Sequence, residues 1–195
     1  MRYGPPLTMS KVMKIMVAMC DGNRGIGNNG RLPWPRLKED YDYYLNTVIH
    51  RHNPEKKNVH IQGRRTWRAV DSTRTSDPNQ IQIVISRTLH GSKDPLKPIV
   101  VPTFEEAVLV ATSPEIQSQI ESIWIIGGER VYEAAIAHPL CKRIYLTRIY
   151  KDFVSDVFFP PFEERFAESS DPDVDGKMRE DNGIAFRFEV YDRKC

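Results

Sequence analysis

The chain has 195 residues, of which 40% are hydrophobic and 28% are charged, a composition typical of a globular protein with one core. The formal net charge is +2, which is too small to indicate a nucleic-acid or membrane-surface partner. No run of about 18 apolar residues occurs, so we expect no transmembrane helix. The three cysteines lack metal-ligand spacing, so we expect no metal site and free thiols in a reducing compartment such as the cytoplasm.

Residues 1–10 contain two prolines and no apolar run, so we expect a disordered extension before a single domain of residues 11–195. Strands are predicted at 12–20, 58–61, 81–85, 98–101, 123–126, 143–150 and 184–191, and helices at 36–49, 64–70 and 129–137, with another opening at the capping box of Thr103 and Glu106. The alternation of strands and helices along the chain predicts an α/β fold on a mainly parallel sheet. The last two long strands are predicted to pair in antiparallel fashion at the C-terminal edge.

Two features of these elements bear on a site. In the strand around Ile83, isoleucines alternate with Gln80 and Gln82, so we expect one face, the isoleucine face, in the core. In the first helix, Asp40 falls on the edge of the apolar face that Leu37 and Tyr44 define. A carboxylate there is costly without a partner, and desolvation should raise its pKa. A charge placed at the helix N-terminus for the macrodipole is the alternative.

The segment from Gly25 to Gly30 matches the G-x-G-x-x-G pattern of dinucleotide-binding proteins. That fingerprint needs a helix opening at the glycines, whereas Pro33 and Pro35 follow and disfavour helix. We therefore reject it and predict a mobile loop over a site. An ordinary surface turn is the alternative.

Phosphate binding is predicted where strands end. Gly63 and Arg64 open a helix directly after a strand, and Gly127-Gly128 has the same arrangement. Arg65 and Arg87 add positive charge nearby, although solvated surface arginines remain an alternative.

Taken together, the motifs resemble dihydrofolate reductase of the eukaryotic type over nearly the whole chain. The matching stretches include 25–30, 32–35, 40–44, 63–67, 85–87, 126–128, 147–148 and 156–160. The resemblance implies a central mixed sheet of about eight strands, mostly parallel with an antiparallel C-terminal strand, flanked by helices on both faces. It also implies NADPH-dependent reduction of 7,8-dihydrofolate to tetrahydrofolate for one-carbon metabolism and thymidylate synthesis, inhibition by antifolates such as methotrexate, and a monomer.

By the same resemblance, the catalytic group comprises Asp40, Trp34, Leu32 and Thr147, with Asp40 holding the pterin. The implied substrate site also includes Met16, Ala18, Tyr41, Tyr44, Leu45, Val70, Arg74, Gln80, Ile126 and Tyr132. The implied NADPH site comprises Ala18, Gly25, Ile26, Gly27, Asn28, Asn29, Gly30, Arg31, Gly63, Arg64, Arg65, Thr66, Ser86, Arg87, Thr88, Ile126, Gly127, Gly128, Glu129, Arg130, Val131 and Tyr132. The Gly127–Gly128 bond is cis in the family.

The chain departs from the family pattern at several positions. Gln80 stands where the family has an arginine that grips the glutamate tail, and a glutamine cannot form the charged fork. Arg74 could supply that charge instead. We therefore expect weaker dependence on the tail than in relatives. Tyr44 replaces a usual phenylalanine, so its hydroxyl needs a partner.

Two other functions compete with this interpretation. A pyrimidine reductase of riboflavin synthesis would share the fold and NADPH, but Trp34 and Asp40 argue against it. An inactive relative that only binds a nucleotide or RNA would not need Asp40 and Thr147 together.

Overall fold

The computed structural model describes residues 11–69, 77–92, 94 and 97–195, so the extension expected at residues 1–10 lies outside the described part. The strands are β1 (Met13–Cys20), β2 (Gly25–Gly27), β3 (Lys57–Gly63), β4 (Gln80–Ile85), β5 (Ile99–Val101), β6 (Ile120–Gly127), β7 (Cys141–Ile149), β8 (Val157–Phe158), β9 (Phe166–Ser169), β10 (Met178–Asp181) and β11 (Ile184–Arg193). The helices are α1 (Lys38–Tyr44), α2 (Arg64–Ala69), α3 (Phe104–Ala111), α4 (Pro114–Gln117) and α5 (Glu129–Ala137). No helix among the described residues is long and apolar enough to cross a membrane.

The main sheet has the strand order β10-β11-β7-β1-β6-β3-β4-β5, and β9 pairs with β11 beside it. Neighbours from β7 to β5 run parallel, whereas β11 is antiparallel to β7, β9 and β10. The predicted α/β class, with its mainly parallel sheet and antiparallel finish, is therefore confirmed. Short strands β2 and β8 form a separate pair.

The ladder between β1 and β6 ends early. Its last paired residues are Ile15 and Ile125, although β1 continues to Cys20 and β6 to Gly127. Beyond this point β1 pairs with β7 and β6 pairs with β3. A split at the carboxyl ends of neighbouring parallel strands is where open α/β sheets bind ligands.

The two faces of the sheet are covered by different helices. One face packs against α3 and α5, whose buried residues include Ala107 and Ala135, in the largest core cluster. The other face carries Met16 and Trp124, and helix α1 with its continuation lies over it through Val48. Helices thus bury both faces, as the resemblance implied.

The first helix differs from the expected α-helix of residues 36–49. It begins as α1 at Lys38 and continues as a π-helical segment, Leu45–Ile49. The stretch crosses the sheet: the Tyr43 ring stacks 3.9 Å from Phe188 of β11, and the Val48 carbonyl lies 3.3 Å from Nε2 of His60 on β3. The backbone of Leu37 is extended, with ψ 115°, so this residue caps the helix instead of joining it.

Both faces of β4 are covered, which the alternating pattern had not predicted. Gln80 and Gln82 are buried, with 9% and 8% of their surface exposed. The isoleucines face the α3 side, while the glutamines lie beneath the segment that follows α1. Polarity along one strand could not reveal a helix packed over it from elsewhere in the chain.

The cap of α3 gives a stability prediction. The Thr103 hydroxyl accepts a hydrogen bond from the backbone N–H of Glu106 at 3.1 Å, as the capping box predicted. Thr103→Ala should lower the free energy of unfolding by about 1 kcal/mol, because a helix N–H loses its partner. Urea denaturation would measure this. Thr103→Ser is the matched control and should lower the free energy of unfolding much less, because it keeps the hydroxyl. Equal decreases in both variants would contradict the cap.

Candidate functional site

Asp40 lies on α1 against β7, where the Thr147 hydroxyl forms a hydrogen bond with its carboxylate. Thr147 is buried, and Asp40 is partly buried. Desolvation raises the pKa of Asp40, and the Thr147 hydrogen bond acts in the opposite direction. The sequence-based expectation of a desolvated carboxylate on the apolar edge of this helix is thus met.

Trp34 enters the site from the segment before α1. Its ring is 5% exposed and lies 6.3 Å from that of Phe153, whereas Leu32 two residues earlier is 57% exposed. The indole Nε1 of Trp34 is buried without a hydrogen-bond partner among the described residues. A buried indole N–H normally has a partner, so this donor suits a water or a ligand atom.

Tyr132 of α5 spans the split between β1 and β6. Its hydroxyl lies 2.9 Å from the carbonyl oxygen of Met16 and 2.7 Å from that of Ile126. The single hydroxyl proton serves one carbonyl at a time, which leaves acceptor capacity for a ligand donor. Tyr132 therefore connects the backbone carbonyls of two residues that the resemblance placed in the substrate site, and burial raises its pKa so that it stays a donor.

The two strand-to-helix turns predicted to bind phosphate meet beside this split. A side chain added at Gly63 would lie 3.9 Å from the backbone nitrogen of Gly128, and one at Gly128 would lie 3.4 Å from the Thr66 hydroxyl. Gly127 has φ +117°, and a Cβ there would come within 2.9 Å of the Tyr132 ring. The Gly127–Gly128 bond is cis, as in the family. A side chain at Gly127 would be strained, whereas a Cβ at Gly63 or Gly128 would make ordinary contacts. The backbone of the three glycines is open, and the residues present fit a bound pyrophosphate.

Positive charge borders the cradle on the β4 side. The Arg64 guanidinium donates a hydrogen bond to the Thr88 hydroxyl, and the Ser86 hydroxyl accepts from the backbone N–H of Thr88 at 3.2 Å. Arg65 and Arg87 are exposed and free to turn toward an anion. The structure thus brings together the predicted cationic residues at the carboxyl ends of β3 and β4.

The glycine segment forms no helix, in agreement with the rejection of a dinucleotide fingerprint. Gly25 and Gly27 of β2 pair with β8, and the backbone N–H of Asn29 donates to the Asp156 carboxylate at 3.0 Å. Arg24 donates to the carbonyl of Phe159 at 2.9 Å. These contacts hold the segment against β8, and the long sequence separation left no local signal for them. Its predicted mobility stays a prediction.

The other predicted site residues differ in their burial. Ala18 lies on β1 opposite Thr147 of β7, and Ile26 packs on the core. Partly buried or exposed positions are taken by Tyr41, Tyr44, Leu45, Asn28, Gly30, Arg31, Glu129 and Arg130, while Val131 is buried. Val70 and Arg74 lie outside the described residues.

The described part of the chain contains no group of three or more histidine, cysteine, aspartate or glutamate side chains arranged to hold a metal. Cys20 and Cys141 are buried free thiols, and Cys195 is exposed.

Comparison with known proteins agrees with this geometry. The sequence profile described as dihydrofolate reductase matches residues 13–193. The dihydrofolate reductase of Drosophila melanogaster is 37% identical over 92% of this chain and 96% of its own, and that of Gallus gallus is 34% identical over 91% and 94%. The solved structure of Schistosoma mansoni dihydrofolate reductase superposes with a TM-score of 0.80 and 28% identity, covering 95% of this chain and all of that one.

The pocket lies where the α/β sheet splits, beside a desolvated carboxylate and the glycine cradle. This arrangement is that of a reductase. The chain belongs to the dihydrofolate reductase family.

The raised pKa of Asp40 predicts a pH-dependent stability. A carboxyl whose pKa is higher in the native state binds its proton more tightly there, so stability falls as the pH rises from the unfolded pKa through the native one. Asp40→Asn removes the free-energy cost of keeping a desolvated charge at this position. The variant should be at least as stable as the parent at pH 7, with the difference narrowing toward about pH 4.

Urea unfolding across that pH range would measure the effect. Asp42→Asn is a matched change on the same helix, where the carboxylate is exposed and pairs with Lys38. It should change stability by less than about 1 kcal/mol at any pH. A large loss of stability at pH 7 in Asp40→Asn would contradict a desolvated carboxylate.

Proposed function

We propose that the chain is an NADPH-dependent dihydrofolate reductase that converts 7,8-dihydrofolate to 5,6,7,8-tetrahydrofolate. The proposal rests on one observation above the others: a desolvated carboxylate, Asp40, is held by Thr147 on a face shared with the paired carbonyls of Met16 and Ile126. This set of acceptors suits a ring that presents several N–H donors. Family membership supports the same reaction.

Reduction of dihydrofolate adds a hydride at C6 and a proton at N5 of the pterin. NADPH supplies the hydride when it is bound. Asp40 accepts hydrogen bonds from the pterin 2-amino group and N3, and its negative charge favours the protonated form of N5. In a site from which water is excluded, such a charge acts strongly on the reacting ring.

Thr147 orients the Asp40 carboxylate, because its hydroxyl hydrogen bonds with that group and its own position on β7 is buried. The unpartnered Nε1 of Trp34 can hold a water beside the pterin. Leu32, which is exposed in the chain alone, then covers the ring edge. These residues position and enclose the substrate.

For the cofactor, the cradle of Gly63, Gly127 and Gly128 admits the pyrophosphate close to the backbone. Arg64 and Arg87 supply the positive charge that favours the 2′-phosphate of NADPH over NADH. Ala18 and Ile26 border the nicotinamide. We propose that the enzyme acts as a cytoplasmic monomer and that methotrexate competes with dihydrofolate.

Substitution of the carboxylate tests the reaction. Asp40→Asn should lower kcat/KM at neutral pH by roughly 10²–10⁴-fold, since the negative charge that favours proton addition is lost. Thr147→Val should cost about tenfold, because the carboxylate stays but loses one restraint. Loss of absorbance at 340 nm with NADPH and dihydrofolate, with and without methotrexate, measures turnover. Asp42→Asn is the control, and equal turnover of Asp40→Asn and parent would remove Asp40 from the mechanism.

Cofactor preference is tested separately at an exposed arginine. Arg87→Ala should raise the KM for NADPH about tenfold and leave that for NADH nearly unchanged, since one charge-assisted contact to phosphate is lost. Arg165→Ala, an exposed arginine elsewhere on the surface, is the matched control. A parallel rise in both KM values would show that Arg87 does not read the 2′-phosphate.

A further inference from the structure

The helix that carries Asp40 has a weak start of its own. Helix α1 has seven residues, and Asp40 is the third of them. Its N-cap residue is Leu37, whose aliphatic side chain cannot accept a hydrogen bond from the first turn. The first backbone N–H groups of a helix have no partner within the helix, and a short helix is only marginally stable alone. The position of Asp40 therefore depends on contacts from other parts of the chain.

An acceptor for the first turn comes from a distant part of the chain. The backbone N–H of Lys38 donates to Oδ2 of Asp181, which lies 143 residues further along the chain, at 2.6 Å. The side-chain amide of the next residue, Asn182, donates to the carbonyl oxygen of Arg36 at 3.1 Å. Asp181 thus takes the place of the missing N-cap side chain, and Asn182 holds the backbone that leads into the helix.

Both residues lie at the tip of a tight hairpin between β10 and β11. Asp181 ends β10 and pairs with Ile184, the first residue of β11. The connecting residues, Asn182 and Gly183, have φ +52° and +68°. Positive φ at both central residues is typical of a type I′ turn, for which Asn-Gly is strongly preferred. The tip therefore has one favoured backbone conformation and presents Asp181 at a defined position.

The same hairpin also contacts the helix on either side of Asp40. Arg179 Nε lies 3.2 Å from Oε2 of Glu39, and the Arg179 guanidinium lies 4.6 Å from the centre of the Phe188 ring. That ring stacks on Tyr43 with centroids 3.9 Å apart. The Glu39 ion pair is exposed and contributes little by itself, whereas the ring stack involves the buried Phe188. The hairpin thus restrains the helix both before and after the carboxylate.

We propose that Asp181 is a positioning residue of the enzyme, which caps the helix that carries Asp40 from the tip of the β10–β11 hairpin. The proposal rests on the proposed function, because it assumes that the Asp40 carboxylate acts on the substrate. Asp181 acts through the backbone of the first helical turn. Without the cap this turn would open more often, and the substrate would meet a carboxylate whose position is less well defined.

Turnover of dihydrofolate with NADPH by the full chain tests the cap. Asp181→Ala should lower kcat/KM for dihydrofolate by about five- to tenfold, because the first turn loses its acceptor. Asp181→Asn should stay within about twofold of the parent, since asparagine caps a helix about as well as aspartate. Glu180→Ala, at the exposed preceding residue of β10, is the matched control and should change neither kcat nor KM. The Kd for NADPH, measured by fluorescence quenching, should be unchanged in all three variants.

Asn182→Gly is a milder variant that keeps the test decisive where Asp181→Ala does not fold. Glycine accepts the positive φ of this turn position, so the hairpin is preserved while the contact with the Arg36 carbonyl is removed. This variant should lower kcat/KM by about two- to threefold, because the segment that enters the helix loses one hydrogen bond.

A double-mutant cycle separates positioning of Asp40 from a general loss of structure. In the Asp40→Asn background, Asp181→Ala should lower kcat/KM by less than about twofold, because the helix no longer carries the charge that the cap positions. A loss of structure alone would lower kcat/KM by the same factor in both backgrounds.

Three results would each overturn the role of Asp181: parent-like turnover of Asp181→Ala, an equal decrease in Asp181→Asn, or equal factors in the two backgrounds of the cycle. Turnover by the parent would then leave the proposed function standing. Absence of turnover in folded parent protein would instead overturn the proposed function and the positioning role with it.

Discussion

The site depends on placing the Asp40 carboxylate where water is scarce. Desolvation raises its pKa and would push it toward the neutral form, while the Thr147 hydrogen bond favours the charged form. A ligand that presents two N–H donors and positive charge would stabilise the charged form of Asp40 further. A desolvated carboxylate lowers the stability of the free protein, and this group would gain its full hydrogen-bond partners only when substrate is bound. Groups of this kind are common at functional sites.

The sheet supplies the second constraint. Because β1 and β6 stop pairing at Ile15 and Ile125, the carbonyls of Met16 and Ile126 are not used in the ladder between these two strands. Tyr132 connects them from α5, so the helix that follows the glycine cradle also positions the carbonyls at the split. The glycine cradle and the carbonyls at the split are therefore joined by one short stretch, from Gly127 to Tyr132.

The third constraint lies at the other end of the helix that carries Asp40. The π-helical segment covers β3 and β4, and this cover turns Gln80 and Gln82 into buried residues that must satisfy one another. Their hydrogen bonds leave Asp77 at the rim. The helix that carries Asp40 thus ends over a network of buried amides on β3 and β4.

The sequence by itself determined the element types, the mainly parallel sheet with its antiparallel finish, and the candidate carboxylate. Local periodicity and turn chemistry decide these, and the order of motifs was enough to indicate the family. It also predicted phosphate binding at the turns after β3 and β6, because a helix N-terminus that follows a strand attracts anions.

Only the tertiary structure decided which groups meet. The partnership of Asp40 with Thr147, the contact of Tyr132 with two strand ends and the attachment of Asn29 to Asp156 each join residues far apart in the chain or on separate elements. The buried face of β4 failed as a sequence-based prediction for the same reason. Alternation reports polarity, but burial depends on what packs above a strand, and that element comes from another part of the chain.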